Sequence, residues 1–323
     1  MKRIGVFTSG GDSPGMNACI RAVVRTAIYN GVEVIGINRG YNGIVDNDFI
    51  ELKSHSVANI LQKGGTILKS ARSKSFFTEE GRKSAFENIS QAGIEGIIAI
   101  GGDGTFTGAH IFNQEYNIPF IGIPGTIDND LYGTDETIGY DTALNTVVDC
   151  VDKIRDTASS HNRLFFVEVM GKDAGFIALR SGIGVGAEAI LVPETKTYIN
   201  KLIAKLEAGR RKSKTSGIVI VAEGDNAGGA YEIARKVKEK FNFYDTRVSV
   251  LGHLQRGGKP SAGDRVLASQ LGFSAVENLI AGETNKMVGM ENNKVVLTPF
   301  EKAIKYNKEL NPNLLKLVEV LSI

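Results

Sequence analysis

The sequence predicts a doubly wound α/β fold, and three observations carry that prediction. Short, continuous Val/Ile/Phe runs recur along the chain. Runs without polar alternation suit strands buried on both faces of a parallel sheet. Amphipathic stretches lie between them, and strand–helix alternation with right-handed crossovers builds α/β layers. Finally, glycine supplies 38 of 323 residues, placed singly or in pairs at the ends of apolar runs, where a backbone turns sharply or approaches a ligand.

Taken in order, the apolar runs Ile4–Thr8, Val32–Ile37, Gly96–Ile100 and Phe120–Ile123 read as strands. The stretches Gly15–Asn30, Glu79–Ala92, Thr105–Glu115 and Asp141–Thr157 read as the helices around them. Leu164–Met170, Ala189–Val192, Gly217–Ala222 and Val248–Leu251 continue the strands, with helices over Thr197–Ala208, Gly229–Lys240 and Ser261–Ile280. Met287–Gly289 and Lys294–Leu297, split by Glu291-Asn292-Asn293, read as an antiparallel hairpin. Leu314, Leu315, Leu317 and Val318 suggest a short docked helix in the closing stretch 300–323.

Composition sets the class. With 42% hydrophobic and 23% charged residues, the chain carries the apolar surface that a disordered chain lacks. Its length suggests two domains of roughly 150 residues each, sharing a hinge near residues 138–142. A formal net charge of +2 argues against a nucleic-acid or anionic-lipid surface, while leaving room for local Arg/Lys clusters around a phosphorylated ligand. The two cysteines, Cys19 and Cys150, form neither a metal-ligand spacing nor a disulfide framework. No secretion signal and no run of ~20 apolar residues is visible, so a cytoplasmic protein without membrane contact is expected.

One device occurs twice. Ile4–Ser9 leads into Gly10-Gly11-Asp12 and a helix, and Gly96–Ile100 leads into Gly101-Gly102-Asp103-Gly104-Thr105 and a helix. A helix N-terminus offers unpaired N–H groups and a positive dipole end, and glycines before it let a phosphate approach. Two such loops in one sheet suit a polyphosphate; a tight turn with Asp as N-cap is the other reading of each. The dinucleotide and P-loop spacings are absent. Pro124-Gly125-Thr126-Ile127-Asp128-Asn129-Asp130 packs carboxylates at another strand end. Read as extended chain, it points Asp128 and Asp130 the same way. With Asp103 from the neighbouring strand end three carboxylates converge, which suits Mg²⁺ coordination and proton abstraction from an alcohol. An Asx-rich turn is the other reading.

These segments, with Ser70-Ala71-Arg72, Ser159-Ser160-His161-Asn162-Arg163, Val167–Gly171, Ala222-Glu223-Gly224 and Val250–Gly258, resemble the bacterial type of the 6-phosphofructokinase family in order and approximate spacing. The resemblance covers about residues 2–300. It implies two Rossmann-like, three-layer αβα lobes with mostly parallel sheets. A nucleotide-binding lobe over 1–138 and 252–300, and a sugar-phosphate lobe over 139–251 and 301–323, are expected. It implies transfer of the ATP γ-phosphoryl to the 1-hydroxyl of fructose 6-phosphate in glycolysis, with Mg²⁺ as cofactor, in a cytoplasmic homotetramer with shared active sites.

By the same resemblance, Gly11, Tyr41, Arg72, Ser73, Gly102, Asp103, Gly104, Thr105 and Gly108 meet the nucleotide, and Asp103 holds the metal. Asp128 is the base, with Thr126, Asp130, Arg72 and Gly11 completing the catalytic set. Thr126, Ile127, Asp128, Arg163, Met170, Gly171, Lys172, Glu223, Arg247, His253, Leu254, Gln255 and Arg256 meet the sugar phosphate, Arg163 and Arg247 by reaching into a neighbouring subunit. Lys172 stands where the family usually has Arg, losing the planar fork, and Phe77 where many relatives carry Arg.

Glycine at 104 and 125, where pyrophosphate-dependent relatives carry Asp and Lys, leaves room for ATP. Arg21, Arg25, Arg155, Gly186, Ala187, Glu188, Lys212 and Lys214 match an effector site for ADP and phosphoenolpyruvate. Arg21 and Arg25 share a helix face. Ser54, Asn59, Thr215 and Ser216 depart from that site's usual residues, which predicts weakened or altered regulation. A pyrophosphate-dependent enzyme, a non-catalytic sensor, and another kinase built on the Gly-Gly-Asp-Gly element are the rival readings.

Overall fold

The computed structural model describes residues 1–212 and 214–321. The chain forms two compact units. The first holds Met1–Ile127, Leu131–Thr142 and Arg256–Lys308; the second holds Asp128–Asp130, Ala143–Gln255 and the chain from Glu309 onward.

The first unit begins with β1 (Arg3–Thr8), α1 (Met16–Tyr29), β2 (Glu33–Ile37), α2 (Tyr41–Val45) and β3 (Phe49–Leu52). It continues through α3 (Glu79–Gln91), β4 (Gly96–Gly101), α4 (Asp103–Tyr116) and β5 (Phe120–Pro124). Helix α5 (Tyr140–Ser159) carries the chain into the second unit. There follow β6 (Arg163–Val169), α6 (Phe176–Gly184), β7 (Ala189–Leu191), α7 (Ile199–Arg211), β8 (Gly217–Ala222), α8 (Ala230–Lys240) and β9 (Asp245–Val250). The chain returns as α9 (Ala262–Ile280), β10 (Lys286–Glu291), β11 (Lys294–Pro299) and α10 (Phe300–Lys305), and closes with α11 (Pro312–Leu321).

Among the described residues the first unit's sheet runs β11-β10-β5-β4-β1-β2-β3. Its middle is parallel and its edge strands β3 and β11 are antiparallel. Successive residues of β4 face opposite layers. Ile98 and Ile100 enter one apolar cluster with α1 and α9 residues such as Ile20 and Leu271. Ile97 and Ala99 enter another with Phe106 and Phe112 of α4 and Phe300 of α10. Burial on both faces is why these strands read as unbroken apolar runs. Strand order reverses around β1, with β2 on one side and β4 on the other; such a switch point opens a crevice beyond the strands' carboxyl ends.

The second unit's sheet runs β7-β8-β6-β9, all parallel. It shares an apolar cluster with α7 and α8, through Leu202, Leu206, Ile233 and Val237. The fold is therefore the expected mostly parallel, two-lobed, Rossmann-like α/β architecture, with the late hairpin present as β10–β11.

Strand β3 and helices α2, α6 and α10 are additions to that expectation. Strand β3 and helix α2 are too short for a periodicity to register. Helix α6, Phe-Ile-Ala-Leu-Arg-Ser-Gly-Ile-Gly, is apolar on nearly every side and has no polar stripe to reveal it. The expected terminal helix is α11, which packs on α6 but leaves Leu317, Val320 and Leu321 exposed; Ser322 and Ile323 lie outside the described residues. Among the described residues no helix is long and apolar enough to cross a membrane.

Candidate functional site

The loops after β1, β4 and β5 lie side by side. The Ser9 N–H donates to the Ile100 carbonyl at 3.0 Å and the Gly125 N–H to the Gly101 carbonyl at 2.9 Å. Neither repeated aspartate caps its helix. Gly15 precedes α1 and Gly102 precedes α4, both without a side-chain cap, and Asp103 is already the first residue of α4. Elsewhere the molecule does cap: the Thr78 hydroxyl accepts from the Gly81 N–H at 3.1 Å, and that of Ser261 from the Asp264 N–H at 3.1 Å. The turn is there, since the Met16 N–H donates to the Ser13 carbonyl at 3.2 Å, but Asp is not its cap, and among the described residues no side chain caps the start of either helix.

The two glycine loops differ in their surroundings. At Gly104 an added Cβ meets nothing within 4 Å, and at Gly102 only Thr126 Cβ at 3.9 Å. At Gly11 it would stand 2.5 Å from Arg256 Nη1, so glycine there admits the guanidinium, which also donates to the Asp12 carbonyl at 3.4 Å. Gly125 corrects an expectation. An added Cβ would lie 2.9 Å from Ile100 Cγ2 and 3.2 Å from Met16 Cε, so its missing side chain serves packing, and of the pair 104 and 125 only 104 faces open space.

Other residues expected to meet the nucleotide are structural in part. Tyr41 is buried, stacks on Phe76 with centroids 4.2 Å apart and donates its hydroxyl to the Thr105 carbonyl at 2.5 Å; burial pushes its pKa well above the ordinary phenol range. Gly108 admits that ring, since an added Cβ would lie 2.8 Å from Tyr41 Cζ. Ser73 accepts from the Phe76 N–H at 3.2 Å, while Arg72 is exposed. Phe77 is 84% exposed, and its carbonyl is held by Arg82 Nη1 at 2.9 Å.

The acidic loop is not extended. Asn129 adopts φ 54°, the left-handed region that asparagine tolerates, so two-residue alternation does not align Asp128 with Asp130. Asp128 and Thr126 are buried, Ile127 lies fully in the core, and Asp130 is half-buried. The expected meeting of Asp103, Asp128 and Asp130 is not found: among the described residues, no three His, Cys, Asp or Glu side chains are grouped to hold a metal ion. Asp103 stands as a single exposed carboxylate on the first turn of α4. That donor set fits Mg²⁺, which binds through one or two carboxylates, substrate phosphates and water.

In the second unit the candidates fall into two groups at opposite ends of β6. At the carboxyl end, the Lys172 N–H donates to Glu223 Oε1 at 2.7 Å, with Lys172 at φ 55° and Gly171 at φ 141°. The Met170 N–H donates to Gln255 Oε1 at 3.2 Å, and Gln255 Nε2 to the Gly252 carbonyl at 3.0 Å. Gln255 is fully buried, so it holds Met170 in place, whereas His253 and Leu254 beside it are exposed. At the amino end, Arg163 and Arg247 share Asp245 Oδ2, at 3.3 and 2.8 Å. Seven strand residues, about 20 Å, separate Arg163 from Met170, so one chain does not bring the two groups together.

Of the effector candidates, Arg21 is partly buried, and that burial, helped by the charge of Arg25, lowers its pKa. Arg155 donates to the Val185 carbonyl, and Gly186 takes φ 58°. Ala187 is buried, Glu188 pairs with Lys214 at 2.9 Å, and Lys212 ends α7. Ser54 and Thr215 are exposed, Ser216 is half-buried, and Asn59 sits exposed at φ 56°.

Sequence reasoning missed the Gly64-Gly65 turn. An added Cβ at Gly64 would fall 2.2 Å from the Gly258 carbonyl oxygen. Buried Asn17 pins the turn, donating to the Lys63 and Gly64 carbonyls at 3.2 and 3.1 Å and accepting from the Ile67 N–H at 2.7 Å. The paired glycines were the available signal, but no helix follows them.

The phosphofructokinase family model matches residues 3–279. An ATP-dependent 6-phosphofructokinase 2 of Bacteroides thetaiotaomicron is 57% identical over 323 residues, covering 100% of this chain and 99% of the relative. An ATP-dependent 6-phosphofructokinase 1 of Thermus thermophilus is 55% identical, with 100% of both chains covered. A phosphofructokinase structure from Saccharomyces cerevisiae superposes with a TM-score of 0.90 at 35% identity, covering 100% of this chain and 47% of that one. The chain thus spans about half of the yeast chain and the full length of these bacterial relatives. A pyrophosphate-dependent phosphofructokinase from Marinobacter aquaeolei matches with a TM-score of 0.85 at 22% identity, a likeness of fold alone.

Proposed function

We infer that this chain, which belongs to the phosphofructokinase family, transfers the γ-phosphoryl group of ATP to the 1-hydroxyl of fructose 6-phosphate. The observation that carries the choice of donor is the uncapped N-terminus of α4, with open space beside Gly104. A side-chain-free helix end accepts a triphosphate through N–H groups and dipole, and an Asp there would repel it.

Phosphoryl transfer needs alignment and charge neutralisation more than covalent help. Gly11 and Gly102–Thr105 cradle the phosphates, and exposed Arg72 neutralises the transferring group. Asp103 would hold Mg²⁺, which neutralises phosphate charge when bound. Asp128 takes the proton of the sugar's 1-hydroxyl, with Thr126 and Asp130 beside it. Met170–Lys172, Glu223, His253 and Arg256 bind the sugar phosphate. Arg163 and Arg247 serve a neighbouring subunit's site in a homotetramer, a role supported by their standing at the far end of β6 from Met170. The first unit carries the nucleotide and the second the sugar phosphate, in the cytoplasm. The altered residues 54, 59, 215 and 216 weaken the response to ADP and phosphoenolpyruvate.

Assay of the purified protein with fructose 6-phosphate and either donor tests the reading. Turnover with ATP is expected; turnover with pyrophosphate alone overturns it. Asp128→Asn should lower kcat by about 10²–10⁴-fold, the usual worth of a positioned general base, with KM little changed. A variant keeping most of its rate removes Asp128 from that role.

A further inference from the structure

Asp264 is an acid on the first turn of α9, a position where acids are ordinarily solvated. Here its side chain is 1% exposed. Oδ1 accepts from the Gly139 N–H at 2.7 Å, and Oδ2 accepts from the Thr142 N–H at 2.8 Å and the Thr142 hydroxyl at 2.5 Å. The Thr142 hydroxyl in turn accepts from the Ser261 N–H at 2.9 Å, and the Ser261 hydroxyl donates to Asp141 at 2.5 Å. Burial pushes the Asp264 carboxyl upward, and the three donors pull it back.

What the carboxylate fixes is residues 137–142, and this segment touches both chemical loops. The Thr137 hydroxyl donates to the Thr126 carbonyl at 2.5 Å, and the Ile138 N–H to the Pro124 carbonyl at 2.9 Å. On its other side Gly139, at φ 104°, is so tight against the phosphate loop that an added Cβ would lie 2.5 Å from Ser13 Cβ and 3.2 Å from Pro14 Cδ. Gly15 is equally close to Ile138 Cγ2, at 2.6 Å from its own added Cβ. Residues 137–139 are a spacer between the loop of Gly11 and the loop that leads to Asp128.

We propose that Asp264 is a positioning residue for phosphoryl transfer, setting through residues 137–142 the register between the Gly11 loop and the 124–126 loop that leads to Asp128. The inference rests on the functional reading above. Small misplacements of reacting groups lower rate far more than binding, so the signature is a split between kcat and ligand affinity.

The test compares Asp264→Asn, Thr142→Val and Thr142→Ser with the wild-type enzyme at 25 °C, well below the melting temperature of each. D264N sets an amide NH₂ against donors, T142V deletes the hydroxyl donor alone, and T142S restores it. Calorimetric affinity for Mg·ADP should stay within about twofold, while kcat falls about 10–100-fold in D264N. T142V should fall less, and T142S should return to near wild-type. If D264N fails to fold, the Thr142 pair decides. A kcat within twofold of wild-type in T142V, or equal rates in T142V and T142S, overturns the proposal, as does a lowered melting temperature with unchanged kcat. Absence of ATP-dependent turnover in the wild-type enzyme removes the functional reading itself.

Discussion

The loops after β1 and β4 share one design, a strand, two glycines, an aspartate and a helix, yet their glycines answer to different neighbours. The first loop is crowded: Arg256 fills the space beside Gly11, and Ile138 presses on Gly15. The second is open at Gly102 and Gly104. A glycine pair therefore marks close approach without saying whether protein or ligand does the approaching.

Substitutions can break or sharpen that contrast. The largest effect is expected at the open loop. Gly104→Asp should lower kcat/KM for ATP by about 10²–10³-fold, since like charges placed together cost several kcal/mol, with no loss of melting temperature. Retained ATP turnover would show the space at 104 is not the phosphate's. In the crowded loop, Gly11→Ala displaces Arg256. It should raise KM for both substrates, lowering kcat/KM by about 10–100-fold; steady-state kinetics with each substrate varied in turn would read it. Gly125→Ala should act on the fold instead, losing about 1–3 kcal/mol to overpacking against Ile100 and Met16, visible as an earlier denaturant midpoint. The smallest change belongs to Gly104→Ala, which should gain up to about 1 kcal/mol from helix propensity in the same denaturation assay.

The sequence made the sheets legible because their strands are buried on both faces, so apolar runs such as Gly96–Ile100 carry their own label. The two glycine loops were legible for a similar reason, as glycine pairs at strand ends. Neighbours distant in the chain were not. Gln255, Asn17 and Asp264 each hold backbone from a remote segment, Asp264 from 122 residues away, and nothing local separates such an acid from a solvated one on a helix's first turn. The alternation argument for Asp128 and Asp130 failed at Asn129, whose left-handed backbone is a choice among several that asparagine permits. For most of the residues proposed to bind substrate, the role comes from motif resemblance, because spacing alone left it open.

The interleaving of the two units has a consequence for biosynthesis. The β6–β9 sheet lies within residues 163–250 and its strands leave the ribosome together. The larger sheet lacks β10 and β11, and α1 lacks its partner α9, until residues 262–299 have been translated. The β6–β9 sheet can therefore form as soon as it is made, while the earlier-made strands β1–β5 wait with the apolar layer that α1 shares with α9 only partly covered. During that interval nascent chains are candidates for chaperone capture, and truncation before residue 262 should yield insoluble protein even though all the residues from 1 to 261 are intact.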